Sequence, residues 1–130
     1  MILDTTFFLD LIAEDDAAVE RALALERDAV PQRIPAQVVY ELYVGVGYTD
    51  TPDEEAARLA GVLEGRSIVE TTAAIAKRAG RIDGELRRDG ERLPSSDLLI
   101  GATGLAFDEP VLTRNVDHFE RIPGVTVVGY

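Results

Sequence analysis

The sequence predicts an α/β fold, with a mostly parallel central sheet and helices on both of its faces. Two observations lead there. Short apolar runs (Ile2–Leu3, Ile34, Ser67–Glu70, Val111–Thr113 and Val125–Val128) alternate with longer segments whose apolar residues recur every three or four positions. Alternation of that kind favours parallel strands joined by crossover helices over an antiparallel sheet. The second observation is length: 130 residues suffice for one buried core and not two. With no internal repeat, linker or low-complexity tract, residues 1–130 read as one domain.

Ile2 and Leu3 form the first strand, and Asp4 ends it. Thr5 and Thr6 then stand where a capping residue belongs, ahead of a helix carrying Phe7, Phe8, Leu11 and Ile12. Asp15 and Asp16 cap a second helix, with Ala18, Ala22, Leu25 and Ala29 on one face and Pro31 as its stop. Arg33–Pro35 is a brief extended passage, and Pro35 opens a helix from about Ala36 to Val46 that contains Glu41. Its apolar surface is Val38, Val39, Leu42, Tyr43 and Val46, and Gly45, Gly47 and Tyr48 close it. Thr51-Pro52-Asp53-Glu54 is a helix start with a capping box. The helix buries Ala56, Leu59, Ala60 and Leu63 and ends at Gly65. After the Ser67–Glu70 strand, Ile75, Ala79, Ile82 and Leu86 mark a long amphipathic helix stopped by Asp89-Gly90. Leu93–Phe107 begins with Pro94-Ser95-Ser96-Asp97 and turns almost wholly apolar, which places its helix in the centre of the domain. Two strands remain, Val111–Thr113 and Val125–Val128, separated by the polar cluster Arg114-Asn115-Val116-Asp117.

Charge narrows the function classes. Lys and Arg number 13 against 24 Asp and Glu, for a net charge of -11, and Lys77 is the lone lysine. Such a surface lacks the basic footprint of a typical nucleic-acid binder. An acidic surface with hardly any lysine fits adaptation to high salt, where the Debye length shrinks to about 3 Å at 1 M. There is no cysteine, which excludes disulfides and thiolate metal sites and fits a cytoplasmic protein. No apolar run approaches the roughly 20 residues of a membrane helix, and no secretory leader is expected.

Acidic residues recur at comparable places. In an open α/β sheet, ligands bind in the crevice at the carboxyl ends of the strands. Asp4 ends strand one, Glu41 lies about a turn and a half into a helix, Asp97 opens the buried helix, and Asp117 follows the strand ending at Thr113. Singly, each has a bland reading as cap, solvated residue, helix-dipole partner or turn former. Asp97 resists it most, because a carboxylate heading an apolar helix lies near the core, where burial is expensive without compensation. An oxygen-rich set without His or Cys suits a hard cation, Mg²⁺ or Mn²⁺, and such an ion activates water for displacement at phosphorus. His118, the lone histidine, is expected to be a solvated loop residue, and Arg114 to pair with Asp117. The stripe Val38, Leu42, Tyr43 and Val46 is broad enough to leave an apolar patch for a partner.

The segments ILDTTFFLDL, PAQVVYELYVG, SSDLLIGATGL and VLTRNVDHFERIPGVTVV, in this order and spacing, resemble the PIN-domain ribonucleases, above all the VapC toxins of VapBC toxin–antitoxin systems. The resemblance covers essentially the whole chain. It implies a single compact PIN-like α/β/α sandwich and an Mg²⁺- or Mn²⁺-dependent endoribonuclease acting on structured RNA such as tRNA or rRNA. It further implies inhibition by a cognate VapB-type antitoxin and, commonly, a homodimer. Carried over by position, the family acids fall on Asp4, Glu41 and Asp97, and the small polar residue after the fourth strand on Thr113. The last acidic position falls on Asn115, which offers an amide oxygen but no charge, while Asp117 lies two residues further on. Metal ligation is expected from Asp4, Asp97, Asp117 and Glu41.

Two other readings stay open: a PIN nuclease of RNA processing without an antitoxin, and a degenerate PIN module that only binds a partner. A phosphoacceptor receiver domain is set aside, because receivers need a second acid beside the first and a lysine late in the chain.

Overall fold

The computed structural model describes residues 1–130. Five strands, β1 (Ile2–Leu3), β2 (Arg33–Pro35), β3 (Ser67–Val69), β4 (Val111–Leu112) and β5 (Val127–Val128), form one sheet in the order β3-β2-β1-β4-β5. Every neighbouring pair is parallel. The helices are α1 (Thr5–Ile12), α2 (Asp16–Arg27), α3 (Ala36–Tyr48), α4 (Pro52–Leu63), α5 (Ala73–Arg88), α6 (Ser95–Phe107) and α7 (Val116–Glu120). The expected α/β architecture is therefore present, with a sheet that is parallel throughout.

Strand order fixes where a ligand can sit. From β1 the chain moves outward to β2 and β3, then returns across the sheet to β4 and β5. Crossovers between parallel strands are right-handed, so α1–α4 pack on one face and α5–α7 on the other. The reversal lies between β1 and β4, and the crevice of such a sheet opens at that point. The core holds 22 buried apolar residues, among them Ile2, Leu3, Phe7, Phe8, Ile100 and Phe119, each with no exposed surface.

Several local expectations give way to tertiary structure. α3 continues through Gly45 and Gly47 to Tyr48, since two glycines weaken a helix without forbidding it. Within the apolar stripe, Val38 and Leu42 are buried while Tyr43 is 45% exposed, so the stripe leaves apolar surface uncovered as expected. Pro35 is the last residue of β2 and the N-cap of α3 rather than part of its first turn. Ala29 lies past the end of α2, exposed and with φ of 51°. Thr51 precedes α4 without accepting a capping bond. Thr5 and Thr6 fall inside α1, whose N-cap is Asp4, and their hydroxyls serve the site described below. Helix α7 was not anticipated: its five residues are too few to show a period.

One close approach constrains the centre. A Cβ added at Gly104 of α6 would lie 3.0 Å from Val111 Cγ2 and 3.1 Å from the Glu109 carbonyl oxygen. Alanine is favoured over glycine inside a helix by about 1 kcal/mol, but overpacking a core costs about 1–3 kcal/mol. The neighbours here are the start of β4 and a backbone oxygen, which cannot swing aside. We expect Gly104→Ala to lower the thermal unfolding temperature. A variant at least as stable as the wild type would show that β4 yields.

Candidate active site

The register of β1 against β4 builds the site. Leu3 pairs with Leu112, so the residues that follow, Asp4 and Thr113, emerge side by side at the crevice. The Asp4 amide donates to the Leu112 carbonyl at 3.1 Å. Asp4 is 3% exposed and Thr113 is fully buried. Thr113 Oγ1 donates to Asp4 Oδ2 at 2.7 Å, and Thr6 Oγ1 donates to the same oxygen at 2.8 Å. Asp4 Oδ1 accepts nothing, yet no buried side-chain oxygen or nitrogen lacks a partner. Oδ1 is therefore the oxygen open to the crevice, while Oδ2 is committed to fixing the rotamer.

Glu41 reaches the same end of the sheet from α3. Thr5 Oγ1 donates to its Oε1 at 2.9 Å. Burial pushes the Glu41 carboxyl above its ordinary range; the Thr5 bond opposes this, and the charges of Asp4 and Asp97 add to it. Asp97, in the first turn of α6, is 8% exposed and meets His118 Nδ1 through Oδ2 at 2.7 Å. Burial also raises its carboxyl, assisted by the Asp4 charge and opposed by the contact with His118. The Asp4 charge thus acts on both Glu41 and Asp97, and the Asp97 charge on Glu41; no lysine or arginine pairs with any of the three.

The cluster is open. No three His, Asp or Glu side chains are grouped so that they could hold a metal ion between them. The donor set is nonetheless that of a hard cation, and Mg²⁺ uses one or two carboxylates and keeps several of its waters. The free Oδ1 of Asp4 and the carboxyls of Glu41 and Asp97, both raised by burial and by the Asp4 charge, fit such an ion held in part through water.

The β4–α7 segment departs from expectation. Asn115 is exposed; its backbone amide donates to Thr113 Oγ1 at 2.9 Å, while its side chain makes no hydrogen bond. Asp117 is exposed in the first turn of α7, with no hydrogen bond or ion pair, and its charge is not among those acting on Glu41 or Asp97. His118, expected to be solvated, instead contacts Asp97. The signal for it is Phe119: once a short helix is recognised, burying Phe119 fixes which way its neighbour faces. Arg114 pairs with Asp10 at 2.9 Å and Asp15 at 3.2 Å, not with Asp117.

Comparison with known proteins agrees with this fold. The PIN domain family matches residues 1–125. The chain is 28% identical over 122 residues to Ribonuclease VapC19 of Mycobacterium tuberculosis, covering 94% of each protein. It is 25% identical over 124 residues to the tRNA(fMet)-specific endonuclease VapC of Shigella flexneri, covering 95% of this chain and 92% of that protein. In structure it resembles a chain of VapBC2 from Rickettsia felis bound to a promoter DNA fragment. There the TM-score is 0.90 at 23% identity, over 98% of this chain and 96% of the other.

The raised carboxyls have a consequence for stability. A carboxyl whose pKa is higher folded than unfolded binds more protons in the folded state between those two values, so its contribution to stability falls as pH rises through that window. Glu41→Gln keeps the acceptor for Thr5 and removes the charge. In EDTA we expect this variant to be at least as stable as the wild type at pH 7, with the difference closing as pH falls through the raised pKa and gone below about 4, near the carboxylate's unperturbed pKa. Urea unfolding across that range measures it. A Gln variant clearly less stable at pH 7 would mean that Glu41 is held by a favourable partner instead of repelled by its neighbours.

Proposed function

Because the chain belongs to the PIN-domain family, we propose that it is a metal-dependent endoribonuclease. In this reading it is the toxin of a type II toxin–antitoxin pair and hydrolyses phosphodiester bonds in structured RNA such as tRNA or rRNA. The observation that carries the reading is the arrangement at the β1/β4 reversal. One fixed aspartate with a single open oxygen stands beside two carboxyls that burial and the charge of that aspartate have raised, a pattern that marks functional sites.

Asp4, Asp97 and Glu41 would hold Mg²⁺ or Mn²⁺. When bound, such an ion supplies Lewis acidity and a water of lowered pKa. The chain's own groups orient the rest. Thr6 and Thr113 hold Asp4 through Oδ2, which would leave Oδ1 to hold the ion. Thr5 holds Glu41 Oε1 and leaves Oε2 to orient the attacking water. His118 fixes Asp97 Oδ2 and leaves Oδ1 to the crevice. Asn115 and Asp117 lie at the rim, where the Asn115 amide is placed to meet RNA. The similar Rickettsia felis protein was crystallised as VapBC2 on promoter DNA, which supports a cognate antitoxin as partner here; a homodimer as the assembled form rests on the family resemblance alone. No helix is long and apolar enough to cross a membrane.

Purified protein incubated with tRNA and rRNA fragments should cut in Mg²⁺ or Mn²⁺ and stop in EDTA. A bound metal contributes several kcal/mol to the transition state, so Asp4→Ala or Asp97→Ala should lower the rate by at least about a hundredfold, or ~2.7 kcal/mol. Full activity in either variant at matched metal concentration would remove these residues from the site. Mn²⁺ binding without cleavage would leave a non-catalytic PIN module.

A further inference from the structure

Arg114 is the cation nearest in sequence to Thr113, and its guanidinium turns away from the crevice. Nε meets Asp10 of α1 at 2.9 Å and Nη2 meets Asp15, the N-cap of α2, at 3.2 Å. The guanidinium carbon lies 5.6 Å from the centre of the Tyr130 ring. The Tyr130 hydroxyl donates to Asp10 Oδ2, the oxygen that also takes Arg114 Nε. Its ring packs edge-on against Phe7, 5.4 Å between centres at 74°. Arg21 holds the adjoining Gly129 carbonyl at 3.3 Å. Burial and the Asp10 charge push the Tyr130 hydroxyl above its ordinary range, so it remains a donor at neutral pH.

The backbone of this clamp runs into the site. The Arg114 amide donates to Thr6 Oγ1 at 3.1 Å, and the Asn115 amide to Thr113 Oγ1 at 2.9 Å. Each hydroxyl has a single proton. With a lone pair occupied by an incoming N–H, that proton is left to point at Asp4 Oδ2, where both threonines donate. The segment supplying the two amides, residues 113–115 between β4 and α7, carries exposed side chains at 114 and 115. The Arg114 side chain is what ties it across to α1 and α2.

We propose that Arg114 is a positioning residue. Its clamp by Asp10, Asp15 and Tyr130 holds the β4–α7 segment so that the amides of residues 114 and 115 keep Thr6 and Thr113 donating to Asp4. The catalytic consequence rests on the nuclease reading above; the clamp itself does not. Arg114 is half exposed, and exposed ion pairs add little to global stability, so its effect is local order around Asp4. A rival role is direct contact with RNA phosphate. Two carboxylates already flank the guanidinium, which argues against it.

The test compares wild type, Arg114→Ala, Tyr130→Phe and the double variant in three measurements. These are amide hydrogen exchange by NMR without metal, Mn²⁺ affinity by calorimetry, and kcat and KM on an RNA substrate. For Arg114→Ala, exchange at residues 114 and 115 should accelerate at least about tenfold, corresponding to ~1.4 kcal/mol of local opening, while Leu3 and Leu112 stay protected. Mn²⁺ affinity and kcat should each fall about 10- to 100-fold, as for other groups that orient ligands, with KM unchanged. Tyr130→Phe should shift all three the same way by less, and the double variant should be no worse than Arg114→Ala alone, because one clamp is broken once. Unchanged exchange at 114 and 115 overturns the proposal, as does a loss confined to KM that steepens with salt, which would assign Arg114 to phosphate. If the wild type neither binds Mn²⁺ nor cuts RNA, the nuclease reading fails and exchange alone decides the clamp. Should Arg114→Ala not fold, Tyr130→Phe carries the test with the loss of one oxygen.

Discussion

The parallel pairing of β1 with β4 is the constraint on which the site depends. It sets Asp4 against Thr113 with no intervening residue that could relax the placement. Burying a carboxylate is costly unless hydrogen bonds replace its water, and here two hydroxyls and the strand register supply that replacement. Both hydroxyls converge on one oxygen, so the other is left for chemistry. A slip of β1 by one residue would turn Asp4 to the opposite face, and α1, which begins at Thr5, would leave with it. The crevice, the rotamer and the start of the first helix are therefore one structural decision.

The two ends of the sheet treat their charges in opposite ways. At the amino end, Glu109 receives the Met1 ammonium at 2.7 Å and Arg33 Nε at 2.8 Å. Partial burial pushes its carboxyl up, but the two cations prevail and hold it below its ordinary value. At the carboxyl end, Glu41 and Asp97 have only hydroxyl and imidazole partners, and both are raised. The amino end is internally satisfied. The carboxyl end stores unbalanced negative charge, which a folded domain keeps where something positive is to be bound.

Much of this was legible in the sequence, for identifiable reasons. Strands that are short and apolar throughout, separated by amphipathic stretches, specify a parallel sheet because both faces must be covered. Asp97 stood out because its helix had no other polar reason to carry it. Thr5 and Thr6 were misread as caps because a cap is a local pattern, whereas their partners, Glu41 and Asp4 with the Arg114 amide, are set by tertiary contacts. Arg114 and His118 were misread alike. Nearness in sequence suggested Asp117 for the arginine and solvent for the histidine, but α7 turns its segment so that each meets a residue far away in the chain. The errors share a cause: each concerned which way a side chain faces at the end of a short element, where periodicity has too few residues to speak.

The acidic surface bears on how an RNA would be held. Arg27, Arg33, Arg58, Arg81, Arg87, Arg114 and Arg121 are each paired with a carboxylate, against a net charge of -11. Six of the 13 cations have no carboxylate partner, against 24 acidic residues, so the surface as a whole stays poor in the free positive charge that drives most nucleic-acid binding. Attraction toward phosphate must then be concentrated at the crevice, where a divalent ion would reverse the local sign. The same raised carboxyls that cost stability without metal would give the ion its strongest grip. On this argument, affinity for metal and affinity for RNA are one property of the fold, set by the oxygen of Asp4 that the threonines leave free.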